Sequence, residues 1–278
     1  MVYLFLCDGR RWGVGENNSV RLAVTLLVVT GFLGTVAYRL SIPVIAFYSR
    51  NTLGASVFDV SVFTAAFMIS RALSASLSGV VIERKPRMIN AAVATSIANA
   101  LVIYLFYVKP DIVFYMVLRG AQGFLNGVTW PIVQYLVGVS SPRDIRGRVL
   151  AIYFMSGELG GFAANNIYAL IADRSLESQL LLSSILFVAT GLVLASSLII
   201  LRKLFGDRIV PRRGEKAKTG LRQTSTRRLG RRDYLIVLSG FFVMGSTSFM
   251  HGEISYVYLS ETIGMNSAAV SYTHLTLP

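Results

Sequence analysis

Only one cysteine, Cys7, occurs in 278 residues. A lone thiol cannot form an intrachain disulfide, and it leaves a thiolate metal site without enough ligands. Charge is scarce too, at 15% of residues against 54% apolar. That is too little charge to cover a soluble domain of this size. Acids are the rarer sign, 14 against 27 Lys and Arg. The resulting charge of +13 would suit nucleic acid if the bases shared one folded surface. Instead they sit in short clusters between apolar runs, as in membrane loops. The lipid bilayer, not nucleic acid, is the expected partner. No Gly-x-x-x-x-Gly-Lys phosphate loop is present, so ATP-driven work has no support. No cofactor and no metal site is implied.

What the chain has is long hydrophobic runs. A bilayer core takes about 20 mostly apolar residues per helix. The runs are Leu22 to Tyr48, Val57 to Ile82, Met88 to Val108, Ile112 to Val139, Val149 to Ala172, Gln179 to Leu201 and Tyr234 to Leu259. None alternates as a membrane barrel strand does. The expected fold class is therefore an all-α membrane protein, a helical bundle. Val2 to Cys7 is too short to span. The first long run holds Arg39 and lacks a small-residue cleavage site, so it reads as a retained helix.

Basic residues set the orientation. One set of loops carries Arg10, Arg11 and Arg21, then Arg84, Lys85 and Arg87, then Arg143, Arg146 and Arg148, then the Arg- and Lys-rich stretch from Arg202 to Arg232. The other set holds Arg50, Lys109 and Arg174. This bias places the N-terminus in the cytoplasm. The expected organisation is a cytoplasmic N-terminus (1–20), a six-helix unit (21–203), a basic cytoplasmic linker (204–233), one further helix (234–269) and a tail (270–278). The linker lacks apolar periodicity and reads as a solvated tether. Val270 to Pro278 matches one translated frame of a sequencing adapter. On that reading it carries no biology, and the natural protein continues past Ala269. The alternative is the start of an eighth helix at Ser267 to Val270.

Three local patterns narrow the reading. Between the second and third runs stands Gly79-Val-Val-Ile-Glu83-Arg84-Lys85-Pro86-Arg87. The fourth run contains Arg119-Gly-Ala-Gln122-Gly123-Phe-Leu-Asn126-Gly127. The fifth begins Arg146-Gly147-Arg148 and continues to Gly157, Gly160 and Gly161. Together with six spans, a basic linker and a further span, these resemble the major facilitator superfamily (MFS). The first is similar to that family's Gly-x-Leu-x-Asp-Arg-x-Gly-Arg-Lys loop, with Pro86 in place of glycine and Met88 in place of the last basic residue. The second is similar to its Arg-x-x-Gln-Gly pattern. The antiporter-type Gly-Pro-x-x-Gly-Gly segment would fall near Gly161, Phe162, Asn165 and Asn166, where its proline and last glycines are missing. The resemblance implies a twelve-helix carrier of two halves with substrate bound between them near mid-membrane. It also implies a conformational loop of Gly79, Glu83, Arg84 and Arg87. There Gly79 would let two helices approach, and the carboxylate would latch an arginine across the bundle.

Charges inside spans cost about 2.5–3.5 kcal/mol each on insertion scales and face a cavity or a partner. Arg39, Arg71, Arg119, Glu158 and Glu253 stand out, with His251 beside the last. Arg119, Gln122, Asn126, Trp130 and Gln134 form one polar stripe at helical spacing. Arg39, Arg71, Arg119, Gln122, Asn126, Glu158 and Asn165 are the expected substrate or cavity residues. Glu158 is expected either to carry a coupling proton or to pair with Arg71 or Arg119. Glu253 and His251 read as polar interface residues. The function expected is secondary active transport of a small solute, an organic anion or a drug-like molecule, coupled to a proton or another ion. The alternative is a seven-helix receptor or sensor. A membrane enzyme using Glu158 and His251 finds no metal or nucleophile constellation to support it.

Overall fold

Hydrocarbon satisfies no backbone polar group, so long apolar runs must close their hydrogen bonds internally as helices. A computed structural model describes residues 17–84, 88–142, 144–206, 230, 235, 239, 252–266 and 269–270, without the side chains of Asn17, Glu83 and Arg84. Its helices are α1 (Asn17–Asn51), α2 (Val57–Arg84), α3 (Ile89–Val108), α4 (Ile112–Ser140), α5 (Arg146–Ile171), α6 (Leu176–Phe205) and α7 (Glu253–Ile263). Even the 20 residues of α3 reach about 30 Å, a hydrocarbon thickness. The first six runs thus become helices with ends shifted by a few residues. α1, α2, α3 and α6 combine spanning length with apolar composition. α4 and α5 are as long but carry the polar residues of the stripe and of the glycine-rich segment.

Local chemistry sets the helix ends. Ser56 and Asp59 cap α2 reciprocally, Ser56 N–H donating to Asp59 Oδ2 (2.8 Å) and Asp59 N–H to Ser56 Oγ (3.1 Å). Asp111 accepts from Phe114 N–H at 2.8 Å to start α4. The seventh run departs from expectation. It is not one helix from Tyr234 to Leu259, because Gly252 is extended (φ −85°, ψ −175°) and α7 begins at Glu253. α7 then runs past Leu259 to Ile263 and stops at Gly264, whose φ of 74° suits glycine. Beyond it, Asn266 Oδ1 accepts from Ala269 N–H at 2.7 Å, the geometry of a new helix start. Cys7, Lys85, Arg87, Arg143, His251, nearly all of the linker and the last eight residues lie outside the described residues.

In a bilayer, helices associate through close packing and interhelical hydrogen bonds rather than by escaping water. α2 packs along α4. α1 packs against α6 and α5, and α3 lies against both α6 and α4. Hydroxyls donate across these seams: Ser156 Oγ to Val28 O (3.1 Å), Ser183 Oγ to Ala37 O (2.7 Å) and Ser197 Oγ to Ala23 O (2.9 Å). Pro131 has no N–H for the carbonyl of Gly127, and Ser78 Oγ of α2 donates to that carbonyl instead, at 3.3 Å. Apolar side chains such as Leu73, Leu101, Val117 and Leu192 remain exposed around the perimeter, where lipid is their solvent.

The interior is layered. One apolar cluster gathers Leu40, Ile45, Phe63, Phe106 and Phe187 at the end where α1 finishes and α2 begins. A second gathers Leu27, Ile132, Val149, Leu194 and Leu201 toward the opposite end. Between them lie buried polar residues: Thr30, Ser96, Asn99, Gln122, Asn126, Ser156 and Thr190.

Candidate functional site

The polar stripe of α4 turns inward. Arg119, Gln122 and Asn126 are all buried. Phe67 and Arg71 of α2 lie directly against it, because Gly123 and Gly127 present no side chain there. A Cβ on Gly123 would come within 2.9 Å of Phe67 Cα, and one on Gly127 within 3.0 Å of the Ala75 nitrogen, inside the 3.4 Å at which ordinary contact begins. Gly79 behaves otherwise. Nothing lies within 4 Å of the place its Cβ would take, so the expected close approach at Gly79 does not occur among the described residues. The close contact of α2 lies roughly two to three turns earlier along the helix. It is made at Phe67 and Arg71, against the glycines of α4.

Arg119 forms an ion pair with Glu253 of α7, and the two side chains are 1% and 0% exposed. Arg119 also donates to Gln122 Oε1, and its guanidinium carbon lies 4.7 Å from the centre of the Phe67 ring. Thr64 Oγ1 of α2 donates to the second carboxylate oxygen of Glu253 at 2.5 Å. Beside the pair lies a cavity of about 70 Å³, lined by Tyr38 and Arg39 of α1, Thr64, Phe67 and Arg71 of α2, Arg119 of α4, and Gly252 and Glu253. Three arginines from three helices thus line one cavity, and one of them, Arg119, pairs with the carboxylate of Glu253. Arg119 stands seven residues from the start of α4, and Thr64 seven from the start of α2. The site therefore lies about 10 Å below the bundle surface.

Two further contacts fasten α7. Tyr256 Oη donates to Asn165 Oδ1 of α5 at 3.3 Å. At the rim, Arg50 of α1 pairs with Glu261, its Nη2 donating to Oε2 at 3.1 Å. The hydrogen bond from Arg50 holds the Glu261 carboxyl below the ordinary carboxylate range.

The expected residues separate into groups. Arg39, Arg71 and Arg119 share the cavity, and Gln122 touches Arg119. Asn126 is tied into the bundle, accepting from Trp130 Nε1 at 2.6 Å and donating to Gln122 O (2.9 Å) and Asn99 Oδ1 (3.4 Å). Glu158 is exposed on α5, and the expected pairing with Arg71 or Arg119 is corrected. The ion pair of Arg119 goes to Glu253, because α7 packs on α1 and α2 and delivers its first residue to the cavity. Glu253 is accordingly no mere interface residue. The one local signal for it was a glycine, Gly252, directly before an acid within an apolar run. The side chains of Glu83 and Arg84, and the whole of Arg87, lie outside the described residues.

Comparisons with known proteins agree with this architecture. No curated protein matches the chain. Among solved structures, a POT family transporter in complex with a thioalcohol-conjugated peptide is similar in fold. It is 15% identical, with a TM-score of 0.55, covering 90% of this chain and 49% of that one. The chain thus spans about half the length of that transporter. The family model of the Major Facilitator Superfamily matches residues 27–277, so this multi-pass, all-helical membrane chain belongs to the major facilitator superfamily.

Proposed function

We propose that the whole protein is a secondary transporter that moves a small solute by alternating access, with residues 21–203 as its first half, 204–233 as a cytoplasmic linker and 234–269 as the opening of its second half. The observation that carries this reading is the buried Arg119–Glu253 pair. It joins the six-helix unit to the following helix across a cavity that also holds Arg39 and Arg71. Buried charge is costly and persists where it is paired or serves a path. A pair between helices that must separate as the halves rock is a natural control point.

Three arginines and one carboxylate in the lining of one cavity favour an organic anion as solute, since a guanidinium grips carboxylate or phosphate through a planar fork. A proton or ion gradient would give the cycle direction. The proposed conformational loop, Gly79 with Glu83, Arg84 and Arg87, rests on the family pattern. The basic bias of the loops supports a cell-membrane location with the N-terminus on the cytoplasmic side, and a reporter fused to the N-terminus checks this. The function itself is tested by uptake into proteoliposomes containing the full-length protein, with Arg119→Ala alongside. Uptake by the native protein and at least a tenfold loss in the variant are expected. Unchanged uptake in Arg119→Ala removes Arg119 from the site.

A further inference from the structure

The perimeter of the bundle carries a second concavity, a groove along the seam of α3 and α6. It holds about 510 Å³ and is lined by Tyr104 of α3 and, on α6, by Leu181, Ser184, Ile185, Val188 and Leu192. The α6 residues fall at helical spacing on one face. Leu181, Ile185, Val188 and Leu192 are exposed and form the walls, whereas Ser184 is 7% exposed and lies at the floor. The hydroxyl oxygen of Ser184 is buried and has no hydrogen-bond partner. Every other hydroxyl of α6 has one. Ser178 meets Ser175, Ser183 donates to the Ala37 carbonyl, Thr190 to Leu186, Ser196 to Leu192 and Ser197 to Ala23. A helical serine can turn back to the carbonyl four residues earlier, yet Ser184 does not. A buried hydroxyl without a partner calls for an explanation.

Depth says what fills the groove. The apolar stretch of α6 runs from Leu180 to Leu201, between Gln179 and Arg202. It is about 33 Å long, close to the thickness of the hydrocarbon core. The groove begins at Leu181 and ends at Leu192, about 16 Å along the axis. It therefore opens at one edge of the hydrocarbon and stops near the midplane, the depth of one leaflet. A docked protein helix would cross both leaflets, about 30 Å. A groove that ends halfway matches one acyl chain. We infer that a glycerophospholipid of the surrounding bilayer lays an acyl chain in this groove, with the Ser184 hydroxyl donating to its ester carbonyl. The lipid belongs to the leaflet opposite the basic end of α6 at Arg202 and Lys203. Ester carbonyls lie where head groups meet hydrocarbon. Ser184 is about 6 Å inside that edge, and side chains of a helix lean toward its N-terminal end, which here is the near surface. Turning χ1 to another staggered position aims the hydroxyl into the groove. The mouth suits a head group. Tyr104 and Tyr107 meet at 6.0 Å near the end of α3, at the level that amphipathic rings favour. The exposed Glu177 carboxylate lies against the Tyr107 hydroxyl. The lipid site is independent of which solute the protein moves.

The test is competition binding to the purified full-length protein in detergent, read by native mass spectrometry. The probes are a diester phosphatidylcholine and its diether analogue, offered in equal amounts. The two share chains and head group, but the diether has no carbonyl. The native protein should retain lipid and prefer the diester about threefold, the worth of one hydrogen bond inside a membrane. Ser184→Ala keeps the groove and removes the donor, so it should retain lipid with no preference. Ala189 also lines the groove, and Ala189→Phe fills it, so that variant should lose the retained lipid. Ser184→Ala removes a single oxygen and guards against a folding defect in Ala189→Phe. The inference is overturned if the native protein retains no lipid or holds both lipids equally. It is also overturned if Ser184→Ala keeps the preference for the diester.

Discussion

Adding one methyl group to α4 should move the site as well as the stability. In Gly127→Ala the new Cβ would overlap Ser74 Oγ and the Arg71 carbonyl, and in Gly123→Ala it would overlap the Phe67 carbonyl. A backbone cannot rotate away as a side chain can, so α2 must retreat by an amount on the order of 1 Å. Overpacking of this kind costs about 1–3 kcal/mol, which lowers the apparent Tm of the detergent-solubilised full-length protein by several degrees. α2 carries Thr64, Phe67 and Arg71, all lining the cavity. A displacement near 1 Å costs as much as ~100-fold where geometry is tuned, so solute uptake should fall by more than the loss of folded protein explains. Gly79→Ala is the control. It meets nothing within 4 Å, and alanine is the better helix former by about 1 kcal/mol, so stability should hold or rise. Equal destabilisation by Gly79→Ala and Gly127→Ala would refute the reasoning.

Other outcomes follow from the same geometry. Arg119→Ala or Glu253→Ala alone leaves an unpaired buried charge and should cost about 3–5 kcal/mol. The double variant should cost clearly less than the two together, as read by denaturation midpoints in a double-mutant cycle. Ser78→Ala should cost about 0.6 kcal/mol by leaving the Gly127 carbonyl without its donor. In a Pro131→Ala background the restored amide should make the same change nearly neutral. At the rim, Arg50 lowers the Glu261 carboxyl, so that pair is present at neutral pH. It persists as pH falls past the ordinary Glu value near 4.3 and is lost only at more acid pH. Cross-linking between the ends of α1 and α7 should show this acid release, and Glu261→Gln should abolish it.

The bilayer made much of this fold readable. Lipid allows few ways to bury a backbone, so runs of spanning length became α1 to α6 with only their ends adjusted. The α4 stripe was equally legible, since Arg119, Gln122 and Asn126 share one face at helical spacing and that face is buried. The partner of Arg119 was not legible. Glu158 and Glu253 are both acids inside apolar runs, and spacing along the chain does not say which helix packs beside which. The choice was made by α7, which starts late, at Gly252, and lies on α1 and α2. The packing around Gly79 was hidden for the same reason. A small residue permits a close approach, but the neighbour decides whether one occurs, and that neighbour meets α4 at Gly123 and Gly127 instead.

The most direct measurement is an experimental density map of the full-length protein in lipid. The account requires the Arg119 guanidinium against the Glu253 carboxylate, with Arg39 and Arg71 opening onto the same cavity. Arg119 paired elsewhere, or the three arginines pointing into separate spaces or into hydrocarbon, would contradict it.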